Sequence, residues 1–268
     1  MTPGTGTRFS HVASRDNVLI KQLRQLAAHN TAYRKLGQYW VEGDHLCRAA
    51  LARKVVPSVA VFAESFVAAA PEAWGQVAAK VVVVPDGLFD EISGLESPAR
   101  VGFLLDLPLQ GAPRAGVASV VLDRVQDAGN VGSILRSAAA FGFCQVLSLK
   151  GSAALWSPKV LRAGMGAHFA LHLVEALDAS DVLALDLPLV VTSSHAGELL
   201  QHQVLPWPCN WAFGHEGQGL GQQLVSGAAL CVRIAQPGGE ESLNVGAAAA
   251  ICLHASAVAM VRADGAQG

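Results

Sequence analysis

Asn130, Arg136, Glu216, Ser242 and Asn244 are polar residues in three short segments whose composition suits ligand chemistry. The segments are DAGNVGSILR from Asp127, FGHEGQGL from Phe213 and ESLNVG from Glu241. Each places glycines and polar groups where a strand pattern hands over to a helix pattern. A helix start offers unpaired N–H groups to a bound molecule. Glycine lets a backbone come close, because it has no Cβ. Three such turns point to one pocket built from loops on a rigid α/β frame.

Two familiar phosphate turns do not fit the first segment. It has Gly129-x-x-Gly132 but lacks the full dinucleotide fingerprint, and Lys150 stands where an acidic residue should end the next strand. No Gly-Lys-Ser/Thr follows, which removes the P-loop. Asn130 suits a helix cap. Arg136 reads either as a surface group or, because Ile134, Leu135, Ala138 and Ala139 make its helix largely apolar, as a group aimed at an anion.

The frame comes from periodicity. Helices are expected over 17–29, 44–53, 64–70 and 86–92, and strands over 37–42, 58–62 and 80–84. This small α/β unit ends near Leu105, and residues 1–10 read as frayed. Leu107 to Gly116, with Pro108, Gly111 and Pro113, reads as a linker. Beyond it strands 117–122, 145–149, 189–192, 211–213 and 229–234 alternate with helices 131–141, 179–185, 220–226 and 243–261. That order implies a mainly parallel sheet with helices on both faces, binding ligands at the carboxyl ends of its strands.

Composition narrows the class. The chain has 268 residues, 51% of them hydrophobic, enough for a sizeable core. No apolar run reaches membrane-spanning length, and Met1 to Thr7 lack the apolar stretch of a signal peptide, so a cytoplasmic protein without a membrane partner is expected. Five widely spaced cysteines without a Cys-x-x-Cys pair speak against disulfides or zinc. His168 and His172 are four apart in a run that reads as a strand, so no metal site is expected there. Residues 1–54 carry nine basic and three acidic groups within a chain of net charge −2. That asymmetry fits either a polyanion footprint or a solvated helix face. Tyr33, Tyr39 and Trp40 lie in the same stretch and suit either base stacking or core packing. Trp156, Trp207 and Trp211 read as core or dimer contacts.

In order and spacing the three segments resemble the motifs of the SpoU/TrmH family. These are RNA ribose 2′-O-methyltransferases of the SPOUT class that use S-adenosylmethionine. The resemblance spans about residues 116–262. More loosely, Gln38-Tyr39-Trp40-Val41-Glu42-Gly43 and the following helix resemble the family's L30e-like substrate-binding module. It implies an α/β chain of two domains: an RNA-binding domain over 1–106, a linker over 107–116, and a methyltransferase domain with a deep trefoil knot over 117–268. It implies a homodimer through the knot region and an RNA substrate, ribosomal RNA ahead of transfer RNA. A non-catalytic RNA-binding or ribosome-assembly protein that kept the fold is the alternative from a different class.

By the same resemblance Arg136 is the catalytic arginine, with Asn130, Glu216, Ser242 and Asn244 completing its network. Thr192, Ser193, Gly214, Ile234, Gln236, Leu243 and Asn244 line the methyl-donor site. Glu216, among Gly214, Gly217 and Gly219, reads as facing a ligand rather than its own turn. Ser242 also suits the N-cap of the last helix. Two departures stand out: Ile234-Ala235-Gln236 replaces the family's Ile-Pro-Met, and His215 stands where asparagine is common.

Overall fold

The computed structural model describes residues 9–69, 74, 77–193, 196–238 and 242–265. In chain order the first elements are β1 (Phe9–His11), α1 (Val18–Ala28), α2 (Ala32–Leu36), β2 (Gln38–Glu42), α3 (Asp44–Ala52), β3 (Val59–Ala63), α4 (Glu64–Ala69), β4 (Val81–Val84), α5 (Asp86–Ile92) and β5 (Val101–Asp106). There follow β6 (Ser119–Asp123), α6 (Ala128–Ala140), β7 (Gln145–Leu149), α7 (Pro158–Gly164), β8 (His172–Leu177), α8 (Ala179–Leu183), β9 (Leu189–Thr192) and β10 (Glu198–Leu199). The last four are β11 (Asn210–Gly214), α9 (Gln222–Ser226), β12 (Leu230–Arg233) and α10 (Val245–Gly265). Among the described residues no helix is long and apolar enough to cross a membrane.

The chain divides into two compact units, Met1–Leu109 with Trp156–Phe169, and Gln110–Leu155 with Ala170–Gly268. The first holds a five-stranded sheet in the order β1-β4-β3-β5-β2. β1, β4 and β3 pair in parallel, and β5 runs antiparallel to both β3 and β2. All four valines of β4 are buried, the continuous apolar run of a strand covered on both faces. Two expectations change here. Phe9 and Ser10, read as frayed, belong to β1, which pairs with β4 through its backbone and the Ser10 hydroxyl and buries no side chain; residues 1–8 lie outside the described set. β5 is a full strand where the unit was expected simply to end.

Tyr33, Tyr39 and Trp40 are each at most 3% exposed, which decides for core packing over base stacking. Gly102 makes room for Trp40, whose ring lies where a Cβ would sit. The segment around α7 packs in this same unit: Tyr39 meets Trp156 with ring centroids 4.6 Å apart, and Arg162 approaches the buried Glu42 at 3.7 Å. Glu42 also accepts from Ser93 Oγ at 2.7 Å and the Gly94 amide at 3.0 Å, as a buried carboxylate must. The basic stretch folds onto acidic neighbours. Glu91 pairs with both Arg15 and Arg24, Asp16 with Lys21 at 2.9 Å, and Asp44 with Arg48 at 2.7 Å. Residues 55–106 contribute two basic and seven acidic groups and Trp156–Phe169 two more basic ones, so the N-terminal surplus is about half offset within its own unit.

The second unit is built on a seven-stranded sheet, β10-β12-β9-β11-β6-β7-β8, in which every pair is parallel. Val120, Val121, Leu122, Val146, Leu147, Val190 and Ala212 are fully buried along its centre. Trp211 is buried on β11 and its indole N–H donates to Ser256 Oγ of α10 at 2.8 Å, so this tryptophan is core. Trp207 packs edge-on against Phe143 with centroids 5.2 Å apart. His168 lies in a short 3-10 turn and not in a strand; β8 begins only at His172, whose Nε2 lies 3.1 Å from the Ala112 carbonyl. Among the described residues no group of three or more His, Cys, Asp or Glu is arranged to hold a metal ion.

Candidate active site

The three segments meet at the carboxyl edge of the parallel sheet, on the neighbouring strands β12, β9, β11 and β6. Helix α6 starts at Ala128, three residues earlier than its apolar pattern implies, because Asp127 caps it: Asp127 Oδ1 accepts from the Asn130 amide at 2.8 Å. Such a cap is worth about 1 kcal/mol. Asn130 is therefore not the cap, and its side chain is free for other work.

That side chain is the middle of a polar row. Asn130 Nδ2 donates to Glu216 Oε1 at 3.0 Å, and Asn130 Oδ1 accepts from Asn244 Nδ2 at 2.9 Å. Asn244 Oδ1 in turn accepts from the Gly246 and Ala247 amides at 2.9 and 3.2 Å. The direction of the row is fixed at both ends. An ionised carboxylate only accepts, and helix N-terminal amides only donate. Each asparagine amide thus has one permitted orientation. Asn244, and not Ser242, caps α10. The start of α10 lies beside α6, since a Cβ on Gly246 would sit 3.4 Å from the Ser133 side chain.

Glu216 also accepts from the backbone amides of Gln126 and Asp127 at 3.3 and 3.2 Å. Partial burial pushes its carboxyl up, but the bonds from Asn130 and the surrounding backbone amides outweigh that and leave it below the usual carboxylate range. The loop bearing it is closed by mutual bonds between the His215 and Gly219 backbones at 3.1 and 2.8 Å. His215 Nδ1 accepts from the Gly217 and Gln218 amides at 2.9 and 3.2 Å, a turn that an asparagine oxygen can also build. A Cβ on Gly214 would lie 2.3 Å from the Gly219 carbonyl carbon, so this glycine is required by the loop's own return path.

Arg136 and Ser242 are exposed, and among the described residues neither makes a hydrogen bond or ion pair. The apolar neighbours of Arg136 do face the core, yet the arginine lies on the outer stripe of α6 with Gly129, Ser133 and Ala140. Exposure, not enclosure, is its condition in a single chain. Of the five residues singled out for chemistry, the structure links Asn130, Glu216 and Asn244 and leaves the other two unattached. Glu241 lies outside the described residues.

The expected donor-site residues line the same edge. Thr192 ends β9 and pairs with Val232 of β12. The Ser193 amide donates to the Val232 carbonyl at 3.0 Å, and Ser193 Oγ accepts from the Ala196 amide at 3.1 Å. Gly214 ends β11, Ile234 and Gln236 follow β12, and Leu243 and Asn244 precede α10. Gln236 Oε1 is buried without a hydrogen-bond partner among the described residues. A buried acceptor of this kind is costly unless a donor meets it, and an adenosyl group carries amino and hydroxyl donors. The residues present therefore fit a nucleoside-bearing methyl donor.

Sequence reasoning passed over Asp123 and Arg124. Asp123 ends β6 and is buried; it takes the Gly221 amide at 2.6 Å and a two-pronged contact from Arg124. An acid–base pair at the carboxyl end of a buried parallel strand is the pattern that marks them, since neither belongs in such a strand for packing.

A parallel sheet with three polar turns converging on its carboxyl edge defines an α/β protein that binds its ligand at the ends of the strands. Comparison with known proteins makes this specific. The SpoU rRNA Methylase family is matched over residues 118–254, half the chain and every site residue above. An uncharacterized tRNA/rRNA methyltransferase of Synechocystis is 31% identical over 92% of this chain and 93% of its own length. The 23S rRNA (guanosine(2553)-2′-O)-methyltransferase RlmP of Bacillus subtilis is 27% identical, covering 92% of this chain and 98% of that protein. The crystal structure of an AdoMet-bound rRNA methyltransferase from Sinorhizobium meliloti superposes with a TM-score of 0.78 at 25% identity, covering 92% of this chain and 97% of that one. The chain belongs to the SpoU family: it is an RNA methyltransferase that uses S-adenosylmethionine.

Proposed function

We propose that this protein methylates a ribose 2′-hydroxyl in ribosomal RNA. The observation that carries the reading is the Asn244–Asn130–Glu216 row at the carboxyl edge of the sheet, whose central Asn130 shares α6 with an exposed arginine that has no partner of its own among the described residues. The Bacillus subtilis relative, named for 2′-O-methylation of 23S rRNA, supports both the position and the RNA class. Transfer RNA is the alternative substrate.

Bound S-adenosylmethionine supplies an electrophilic methyl group. Thr192, Ser193, Gly214, Ile234, Gln236, Leu243 and Asn244 hold it, largely through backbone groups. A ribose hydroxyl is a poor nucleophile, so the protein's task is to fix its oxygen in line while its proton leaves to solvent water. Arg136 grips the phosphate next to the target ribose and so orients the hydroxyl. A free guanidinium is too weak an acid to serve as a base unaided, which makes positioning its role. Asn130 and Glu216 keep a fixed pattern of donors and acceptors around the ribose. Ser242, exposed ahead of α10, adds a hydroxyl to that edge.

Three wider features belong with this function. Residues 1–106 act as the RNA-recognition domain and residues 117–268, apart from the Trp156–Phe169 segment that packs in the first unit, as the methyltransferase domain, joined by the linker at 107–116. The C-terminal segment passes through a deep trefoil knot. Two copies pair through the knot region; Ile251 and Val261, 41% and 63% exposed on α10, support an apolar face to be covered. The test is to map 2′-O-methyl sites in total RNA with and without the gene. Loss of one ribosomal site is the expected result. An unchanged ribosomal map with a lost transfer RNA site would move the substrate, and a map with no lost site would overturn the reaction.

A further inference from the structure

The loop that carries Glu216 is anchored on two flanks. On one, Glu216 reaches the Gln126 and Asp127 amides and Asn130. On the other stands Arg124, six residues before Asn130. Its Nε and Nη2 lie 2.9 and 3.2 Å from the two oxygens of Asp123. Its Nη1 donates to Gln218 Oε1 at 3.1 Å, and its Nη2 also donates to the Gly219 carbonyl at 3.3 Å. Asp123 completes the clasp by accepting from the Gly221 amide at 2.6 Å. The guanidinium thus ties the end of β6 to Gln218 and Gly219, and its partner Asp123 holds Gly221.

The arrangement has a cost. Arg124 holds φ at +58°, a region a side chain occupies only under constraint. The turn at Gly151, with φ +92°, brings its backbone against the Arg124 stem; a Cβ there would lie 3.1 Å from Arg124 Cγ. Hydrogen bonding to Asp123 raises the arginine's pKa further above its usual value, so the guanidinium stays charged. A strained backbone spent on aiming one fork is best explained by what the fork holds.

We propose that Arg124 is a positioning residue for methyl transfer, setting the height of the Glu216 loop against α6 so that Glu216 meets Asn130. This deepens the functional reading above and rests on it. A lysine keeps a charge beside Asp123 but presents a single ammonium, and it does not hold Gln218 and Gly219 together.

The experiment compares wild type with Arg124→Lys in two readouts. The first is backbone amide exchange over residues 215–221, which needs no activity. The second is the split between kcat and the affinity for S-adenosylmethionine. Arg124→Lys is expected to speed exchange in the loop, to lower kcat at least about tenfold, and to leave donor affinity within about threefold. Gln218→Ala, which spares the Asp123 pair, carries the same test with a smaller effect and stands in should the lysine variant fold poorly. Unchanged loop exchange, or faster exchange with kcat within twofold of wild type, overturns the proposal. Wild-type protein that methylates no RNA would instead fail the functional reading, and the exchange result would still decide whether Arg124 holds the loop.

Discussion

Replacing Asn244 by Asp separates what this residue does for the fold from what it does for the site. Its Oδ1 caps α10 through the Gly246 and Ala247 amides, and its Nδ2 donates to Asn130. A carboxylate keeps the acceptor and adds negative charge at the N-terminus of a 21-residue helix, an effect of about 0.3–1 kcal/mol in favour of the fold. On the other side the donor is lost, and two acceptor oxygens face each other across the former 2.9 Å bond. Asn130 has no escape by turning its amide over, because its oxygen would then point at Glu216. Losing this hydrogen bond at an exposed edge costs about 0.5–1.5 kcal/mol. Felt at the transition state, that is roughly a 2- to 12-fold loss of rate. The assay is single-turnover methyl transfer alongside thermal unfolding. In Asn244→Asp the stronger cap and the lost bond nearly cancel, so the variant should unfold within about 4 °C of wild type while losing turnover by that factor. Asn244→Ala, which gives up cap and row together, should unfold about 4–8 °C lower. An aspartate variant with wild-type turnover would refute the row as part of the chemistry, and parallel loss of stability and turnover in it would reduce Asn244 to a helix cap.

Three further outcomes follow from the same geometry. Arg136→Ala should abolish methyl transfer while donor binding, followed by calorimetry, stays nearly intact; retained turnover would remove the phosphate-clamp role. Lys35, Arg53 and Lys54 of the N-terminal unit are exposed and form no ion pair among the described residues, so their contacts with RNA phosphates should make log K fall with log salt at a slope of roughly −2 or steeper. A flat response would separate RNA docking from these groups. Glu216 has a depressed carboxyl pKa, so its contribution to stability is full above the ordinary carboxylate range and is lost as pH falls through its lowered value. Unfolding midpoints of wild type and Glu216→Gln should therefore converge on acidification, and a gap that widens would reverse the assignment.

The site was far more legible than its supports. Three motifs stood out because glycine and polar residues cluster where apolar periodicity changes, and the structure places all three on one sheet edge. The parallel sheet was legible because its buried strands carry continuous apolar runs: Val120-Val121-Leu122 in β6, Val146-Leu147 in β7 and Leu189-Val190-Val191 in β9. β1 and β10 were not, because strands of three and two residues are too short to carry a side-chain pattern. The N-terminal charge excess left two readings open, because Glu91 lies far along the chain from Arg15 and Arg24 and only folding brings it to them. The exposure of Arg136 was hidden because a 13-residue helix with an apolar majority still has an outer stripe. Arg124 looked like any surface arginine; its meaning depends on a backbone angle that its neighbours impose.

The central claim, methyl transfer to a ribose oxygen, is tested most directly by the chemical identity of the product. Purified protein is incubated with unmodified ribosomal RNA and S-adenosylmethionine labelled in the methyl group, and the RNA is digested to nucleosides. Label in a single 2′-O-methylnucleoside, absent with Arg136→Ala, is the predicted result. Label on a base, or equal label with both proteins, would contradict the account.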